Sequence, residues 1–491
     1  MNIRLIVRLN AGVVLAIGVA LLVPLGISLL YGDGSWESFL VPAAAMIAAG
    51  AAGIRFTSRP GRGREIVSNR DIYFSVTLAW VLAAMLGGIP YLPYLMQGTF
   101  TNPLDSTFEG MSGFTTTGAT LLSHIQAQTP SILFWRSMTQ WLGGVGIVVL
   151  FVAVAPALGT EASRLLGAEV SGLTGTRLTP RIGDTARSLI FIYLAISAAC
   201  TLALLGAGMP LYDAVVHTFA TVATGGFSPK SASIGFYHSL PIEAVLIFFM
   251  TASGISFSLY YVLYTRRRPD ALLSREVVVY LGTMAGATIL VWGLLVYGGT
   301  YGPDWGRALR DSAFTVSSIT TTTGFVTADF DKWGGAAKFI LVLLMFVGGC
   351  AGSTAGGIKV IRIMIVVRTN LQEIFHMVHP RAVTPLTIGG RTIPERVRVA
   401  TLGLFAAWIS VFALATVLLA FQPNLSMVSA ATAVAATLNV VGPGLGQVGA
   451  AENFTAVDPF GRGVLTVCML FGRLELFTAL ALISPAFWRK A

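Results

Sequence analysis

The chain has 491 residues, 55% hydrophobic and 11% charged, with a mean hydropathy of +0.76. Soluble domains carry about 25% charged residues, so a globular enzyme is excluded and a polytopic membrane protein is expected. A net charge of +10 would suggest nucleic acid in a soluble protein, but the basic residues fall in short loops between apolar runs, where they report topology; no nucleic acid partner is expected.

Apolar runs of about 20 residues can cross a hydrocarbon core of roughly 30 Å. Ten transmembrane helices are predicted, at 10–31, 39–56, 72–92, 131–155, 188–209, 240–263, 277–299, 337–367, 399–421 and 463–487. The first lacks a small-residue cleavage site and is expected to be retained. Arg4 and Arg8, then Arg55, Arg59, Arg62, Arg64 and Arg70, then Arg164, Arg177, Arg181 and Arg187 fall on one side. Arg266, Arg267, Arg268 and Arg275, the stretch from Lys359 to Arg398, and Arg489 with Lys490 join them. By the positive-inside rule that side is cytoplasmic, with both termini on it. Cys200, Cys350 and Cys468 lie far apart in apolar segments; they match no metal or disulfide pattern and are expected to pack.

Between paired spans, on the outer side, four segments too short or too polar to cross end in similar strings. They read FTTTGAT at 114–120, TVATGGF at 221–227, TTTTGF at 320–325 and TLNVVGPG at 437–444. Aligning Gly118, Gly225, Gly324 and Gly442 gives a fourfold internal repeat of span, short descending helix, glycine-bearing strand and span. The expected fold is all-α: two N-terminal helices (1–70), then pore repeats at 71–160, 161–270, 271–375 and 376–491 around one central pore. Asp105, Asp213, Asp311 and Ser429 stand 12 or 13 residues before the glycines and read as helix starts. Ser106 and Glu109 form a capping-box pattern. A helix of about ten residues reaches roughly 15 Å, half-way through the bilayer, and points its negative end at the membrane centre.

Non-helical backbone at that depth must be buried in protein or line a watery cavity, so four such strands around one axis make a pore. Glycine permits positive φ, which lets successive carbonyls face the axis and replace the hydration shell of a cation. The candidate ion-binding residues are Thr116, Thr117 and Gly118; Ala223, Thr224 and Gly225; Thr322, Thr323 and Gly324; and Val440, Val441 and Gly442. Hydroxyls of Thr117, Thr224 and Thr323 are read as further ligands at the inner end, with Val441 breaking the set. No carboxylate ring is present among these strings, which favours a monovalent ion. The expected bound species is a monovalent cation, with no organic cofactor.

Residues 348–357, GGCAGSTAGG, are all small and sit inside the predicted span 337–367. Each interior glycine costs a helix about 1 kcal/mol, which favours an unwound loop; the GxxxG spacing of Gly348, Gly352 and Gly356 instead suits close helix packing. Both readings stay open on the residues alone. Arg473 lies within the last span, where a charge faces a cavity or a partner; loop carbonyls of residues 348–357 are candidate partners, and Glu475, two residues away, is disfavoured. Lys359 reads equally as part of that segment or as a snorkelling interfacial lysine.

His376 and His379 lack a third ligand and read as a cytoplasmic loop. The 160–187 loop and the long linker 369–398 are plausible docking surfaces. No nucleotide-binding string stands in a strand-to-helix context, so any nucleotide control requires another subunit. No paired acids or His/Glu motif support an intramembrane enzyme. All four repeats enter with the same orientation, which argues against inverted-repeat alternating access.

The four strings and GGCAGSTAGGIKVIR at 348–362 resemble the Trk/Ktr/HKT superfamily of potassium transporters, most closely its bacterial TrkH-type subunits, over almost the whole chain. The resemblance implies a pseudo-fourfold potassium pore, dimeric, in the lipid of the bacterial inner membrane, controlled by a cytosolic TrkA-type nucleotide-binding ring. It also implies a gate formed by Gly348, Gly349, Gly352, Ser353, Thr354, Gly356, Gly357, Lys359 and Arg473. A sodium- or proton-coupled symporter of the same superfamily is the alternative.

Overall fold

The computed structural model describes residues 1–57, 68–93, 100–154, 182–267, 269–382, 384–476, 480, 482 and 484–488. Arg59, Arg62, Arg64, Arg164, Arg177, Arg181, Arg268, Arg489 and Lys490 of the topology reading, and most of the 160–187 loop, lie outside these residues.

Helices α1 (Ile3–Ala20) and α2 (Leu22–Tyr31) form one apolar run of 29 residues, and α3 (Trp36–Thr57) returns along α1. The first repeat follows as α4 (Asn69–Gly88), α5 (Pro103–Phe114) and α6 (Pro130–Val154). The turn between α2 and α3 is pinned to the start of α6 by Asp33. Its carboxylate accepts from Ser28 Oγ at 2.5 Å, from Ser35 N at 3.0 Å and from Ser131 N at 3.1 Å.

The second repeat comprises α7 (Ile182–Gly206), α8 (Leu211–Val222), and the pair α9 (Leu240–Ser253) and α10 (Phe257–Arg266), bent by 87°. The third has α11 (Arg275–Tyr297), α12 (Trp305–Thr320), α13 (Gly335–Met345) and α14 (Val360–Val378). A short hairpin of β1 (Thr387–Ile388) and β2 (Arg391–Thr392) pairs Thr387 with Thr392. The fourth repeat is α15 (Glu395–Ala420), α16 (Met427–Leu438) and α17 (Pro459–Arg473), followed by α18 (Pro485–Trp488).

Among the described residues six helices are long and apolar enough to cross a membrane, and the bent pair makes a seventh. The difference from ten spans lies in the second helices of the repeats. The expected span 337–367 is split between α13 and α14 by the run of small residues, and 463–487 stops as a regular helix at Arg473, where Glu475 (φ 55°) and Leu476 (φ 58°) turn left-handed.

The linker 369–398 also differs from expectation. Helix α14 continues to Val378, so His376 is helical and approaches Thr384 Oγ1 at 2.9 Å, and no metal cluster is found among the described residues. Leu386, Ile388 and Ile393 of the hairpin region pack with Val277 and Tyr280 of α11 and with Cys350 and Met364. Apolar burial therefore folds this linker onto the helices. Cys200, Cys350 and Cys468 are all buried and none takes part in a disulfide, as packing residues should be.

Candidate functional site

The four short helices α5, α8, α12 and α16 have 12, 12, 16 and 12 residues, roughly 18 Å for the shorter ones. Their starts differ from the expected caps. Asn102 caps α5 in a capping box with Asp105, while Ser106 Oγ donates to the Pro103 carbonyl at 2.8 Å and Glu109 accepts from Thr120 Oγ1 at 2.5 Å. Asp105, Asp213 and Ser429 each stand at the third helical position; Asp311 lies one turn deeper, because α12 starts early on an Asp304 cap.

Each helix ends on a cap residue with negative φ, Thr115, Ala223, Thr321 or Asn439. The next residue is left-handed in every strand: Thr116 (φ 58°), Thr224 (φ 54°), Thr322 (φ 56°) and Val440 (φ 61°). Two residues on comes a left-handed glycine: Gly118 (φ 83°), Gly226 (φ 78°), Gly324 (φ 81°) and Gly442 (φ 101°). Positive φ at a β-branched residue is a genuine outlier, and such strain, of order 1–3 kcal/mol each, collects at functional sites. Four outliers at one position of four repeats mark one site.

The second strand is thereby corrected. Its equivalent of Gly118 is Gly226, not Gly225, and Thr224 matches Thr116 while Gly225 matches Thr117. Ala223 is the helix cap and stands before the strand. The hydroxyl positions shift accordingly. The innermost set is Thr116, Thr224 and Thr322, interrupted by Val440, whereas Thr117 and Thr323 hydroxyls pair with those of Thr115 and Thr321 at 2.8 and 2.7 Å.

The amides after each cap turn back onto the helix that precedes them. Thr117, Gly225, Thr323 and Val441 donate to Ser112, Ala220, Ser318 and Ala436 at 2.7 to 2.8 Å. Alternating left- and right-handed φ puts successive carbonyls on the opposite edge. The strands then close on one another. A Cβ on Gly118 would strike the Gly225 carbonyl oxygen, one on Gly226 the Thr323 oxygen, one on Gly324 the Val441 oxygen, and one on Gly442 the Thr117 oxygen at 2.7 Å. Each glycine abuts the next strand's carbonyl and the last abuts the first, so the four strands form a closed ring.

Beneath the ring, residues 346–359 leave the helix between α13 and α14. The run is an unwound loop, which decides against GxxxG helix packing. Gly356 N donates to Thr322 Oγ1 at 2.6 Å, and Thr354 Oγ1 donates to the carbonyls of Val222 at 3.0 Å and Ser253 at 3.3 Å. Cys350 N donates to the Gly254 carbonyl at 2.8 Å, and Phe257 N to the Gly352 carbonyl at 3.1 Å, so the loop satisfies the groups exposed at the α9–α10 break. Gly352 (φ 77°) and Gly357 (φ 65°) take turns that other residues resist. Gly348 N donates to the Ile358 carbonyl at 3.0 Å, Gly349 accepts from Val360 N at 3.2 Å, and Ser353 Oγ donates to the Cys350 carbonyl at 2.7 Å.

Arg473 is buried; its Nη1 donates to the Thr354 carbonyl at 2.8 Å and its Nη2 to the Gly143 carbonyl at 3.1 Å. It therefore bridges the loop to α6, while Glu475 pairs with Arg362 instead. Lys359 is buried and donates to the Ala355 carbonyl, so it does not snorkel.

Sequence reasoning missed the side chains behind the ring. Arg136 on α6 is buried, with its guanidinium carbon 4.0 Å from the centre of the Phe227 ring and Nη2 donating to Thr120 Oγ1 at 3.0 Å. It lies 3.8 Å from the Glu109 carboxylate, also buried. Polar residues inside a membrane helix are expensive and mark functional sites, and Arg136 and Gln140, one turn apart, were that signal.

A closed ring of carbonyl-bearing strands, four inward helix ends and an unwound loop beneath them define a four-repeat membrane pore for cations. The family model described as "TrkH: Cation transport protein" matches residues 67–277 and 301–490. A Trk system potassium uptake protein, TrkH, of Halomonas elongata is 38% identical over 500 residues, covering 100% of both chains. TrkH of Escherichia coli (strain K12) is 36% identical, again with 100% of both chains covered. The crystal structure of the potassium transporter TrkH from Vibrio parahaemolyticus matches with a TM-score of 0.89, at 35% identity and 100% coverage of both chains. The chain belongs to the TrkH family of cation transport proteins, a transport family and not an enzyme family.

Proposed function

We propose that this chain carries potassium into the cell through the ring of four strands, across the bacterial inner membrane with both termini cytoplasmic. The closed ring of carbonyls at Thr117, Gly225, Thr323 and Val441 carries this reading, because it offers neutral oxygens that replace water around a monovalent cation. Gly118, Gly226, Gly324 and Gly442 hold the ring's backbone, and Thr116, Thr224, Thr322 and Val440 form its inner end. The repeats are read as 71–160, 161–270, 271–375 and 376–491. The loop from Gly348 to Gly357, with Lys359 and Arg473, is the gate: it hydrogen-bonds to the third strand from below and is tied by Arg473 to the first repeat. The working assembly is a homodimer with a cytosolic TrkA-type nucleotide-binding ring.

The test is flux of potassium against sodium from liposomes holding the purified chain, with and without an imposed proton gradient and with and without the regulatory ring. Potassium-selective flux insensitive to protons is expected. Equal sodium and potassium flux would overturn the reading, and flux that follows the proton gradient would favour a coupled symporter.

A further inference from the structure

The second strand departs from the other three in a way that one side chain compensates. At the position of Thr117, Thr323 and Val441 it has Gly225, and at the helix cap it has Ala223 where the first and third strands have Thr115 and Thr321. The hydroxyl pairs that stiffen those two strands, 2.8 Å between Thr115 and Thr117 and 2.7 Å between Thr321 and Thr323, therefore have no counterpart. Two adjacent glycines, Gly225 and Gly226, would leave the backbone free to choose among many conformations.

Gln140 of α6 fills that gap. It is fully buried; its Nε2 donates to the Gly225 carbonyl at 2.6 Å, and its Oε1 accepts from Phe227 N at 3.0 Å. The amide thus brackets Gly226 on both sides. Gly225 has an ordinary φ, so its backbone would accept a side chain, but a Cβ there would meet Gln140 Cδ at 2.4 Å, Oε1 at 2.6 Å and Nε2 at 2.8 Å. Gln140 occupies the space that a threonine side chain takes in the first and third strands. Among the described residues, the equivalent carbonyls of Thr117, Thr323 and Val441 accept no hydrogen bond.

We infer that Gln140 is a specificity-determining positioning residue: its amide replaces the missing threonine of the second strand and fixes the Gly225 carbonyl in the ring. This rests on the pore reading above. One consequence is that the ring is chemically asymmetric, because one of its four carbonyls already shares its electron density with an N–H donor while the other three are free for the ion.

The test is the potassium-to-sodium flux ratio of the full chain in liposomes. Gln140→Ala and the near-isosteric Gln140→Met, which keeps the volume but removes both hydrogen bonds, are each expected to lower the ratio about tenfold, a loss of about 1.4 kcal/mol of discrimination. Gly225→Thr alone clashes with Gln140 and is expected to be impaired. The double variant Gln140→Ala/Gly225→Thr, with Ala223→Thr added to supply the hydroxyl partner, is expected to recover most of the ratio; the loss in Gln140→Met is what a merely space-filling role would not produce. Gln140→Met with wild-type selectivity would overturn the inference, as would a rebuilt strand no more selective than Gln140→Ala. An unselective wild-type chain would instead overturn the pore reading itself.

Discussion

Gly226 is the position at which register and function can be tested together. Its φ of 78° lies in the left-handed region, where an L-residue costs roughly 1–2 kcal/mol. An alanine Cβ there would also fall far inside the 3.0 Å below which real Cβ atoms essentially never approach, against the backbone carbonyl of Thr323 in the next strand. The chain relieves both by moving the third strand's carbonyl out of the ring. If that strain passes into ion discrimination, 1–2 kcal/mol corresponds to a fall in the potassium-to-sodium ratio of roughly 5- to 30-fold. Gly225→Ala makes the contrast. Its backbone is unstrained, but its Cβ displaces the Gln140 amide, so its loss is expected to match that of Gln140→Ala and to add nothing in a Gln140→Ala background, where the loss of Gly226→Ala persists. The assay is potassium and sodium flux in liposomes, with monodispersity on size-exclusion chromatography as the control for folding. A folded Gly226→Ala chain with the wild-type ratio would refute the assignment of the second strand.

Arg473→Ala removes two charge-assisted bonds, to Thr354 and Gly143, each worth roughly 1.5–3 kcal/mol; basal potassium flux should rise about tenfold or more, and unchanged flux in a folded variant counts against a gating bridge. Deleting residues 349–356 should likewise raise basal flux, whereas a loop needed only for packing would give low yield; a well-folded deletion with ordinary conductance would leave the gate reading without support. Asp33 offers a pH test outside the membrane spans. Burial pushes its carboxyl up, but the bonds from Ser28, Ser131 and Ser35 outweigh it and hold the carboxyl below its ordinary value of 3.8. A depressed folded value stabilises the fold above the unfolded value and loses that contribution as pH falls through the folded one. Asp33→Asn should therefore lower the melting temperature more at pH 7 than at pH 3. An equal gap at both pH values would disprove the linkage.

The repeats were legible because glycine-bearing polar strings recur at matched depths between apolar runs, and the bilayer tolerates such backbone only where protein or water covers it. The register of the second strand was not. TVATGGF offers two glycines, and matching letters selects Gly225, whereas only the backbone reveals that Gly226 takes the left-handed conformation. The capping pattern at Ser106 and Glu109 misled for a related reason: Asn102 and Asp105 satisfy the same rule four residues earlier, and Glu109 is taken by Thr120 and Arg136. Residues 348–357 carried two meanings because glycine both loosens a helix and lets helices touch, and the choice depended on the carbonyls and amides exposed at the α9–α10 break. Gln140 was invisible because its partners are backbone atoms 85 and 87 residues away.

The order in which the strands lean on one another has a consequence for biosynthesis. The Thr117 carbonyl in the first repeat is packed only when Gly442 of the fourth arrives beside it. Until that late segment has left the ribosome and entered the bilayer, the circle stays open on one side, and no nascent or truncated chain can present a closed ring. A nonsense mutation anywhere before the last repeat therefore leaves at most three strands and an open circle, never a smaller closed ring.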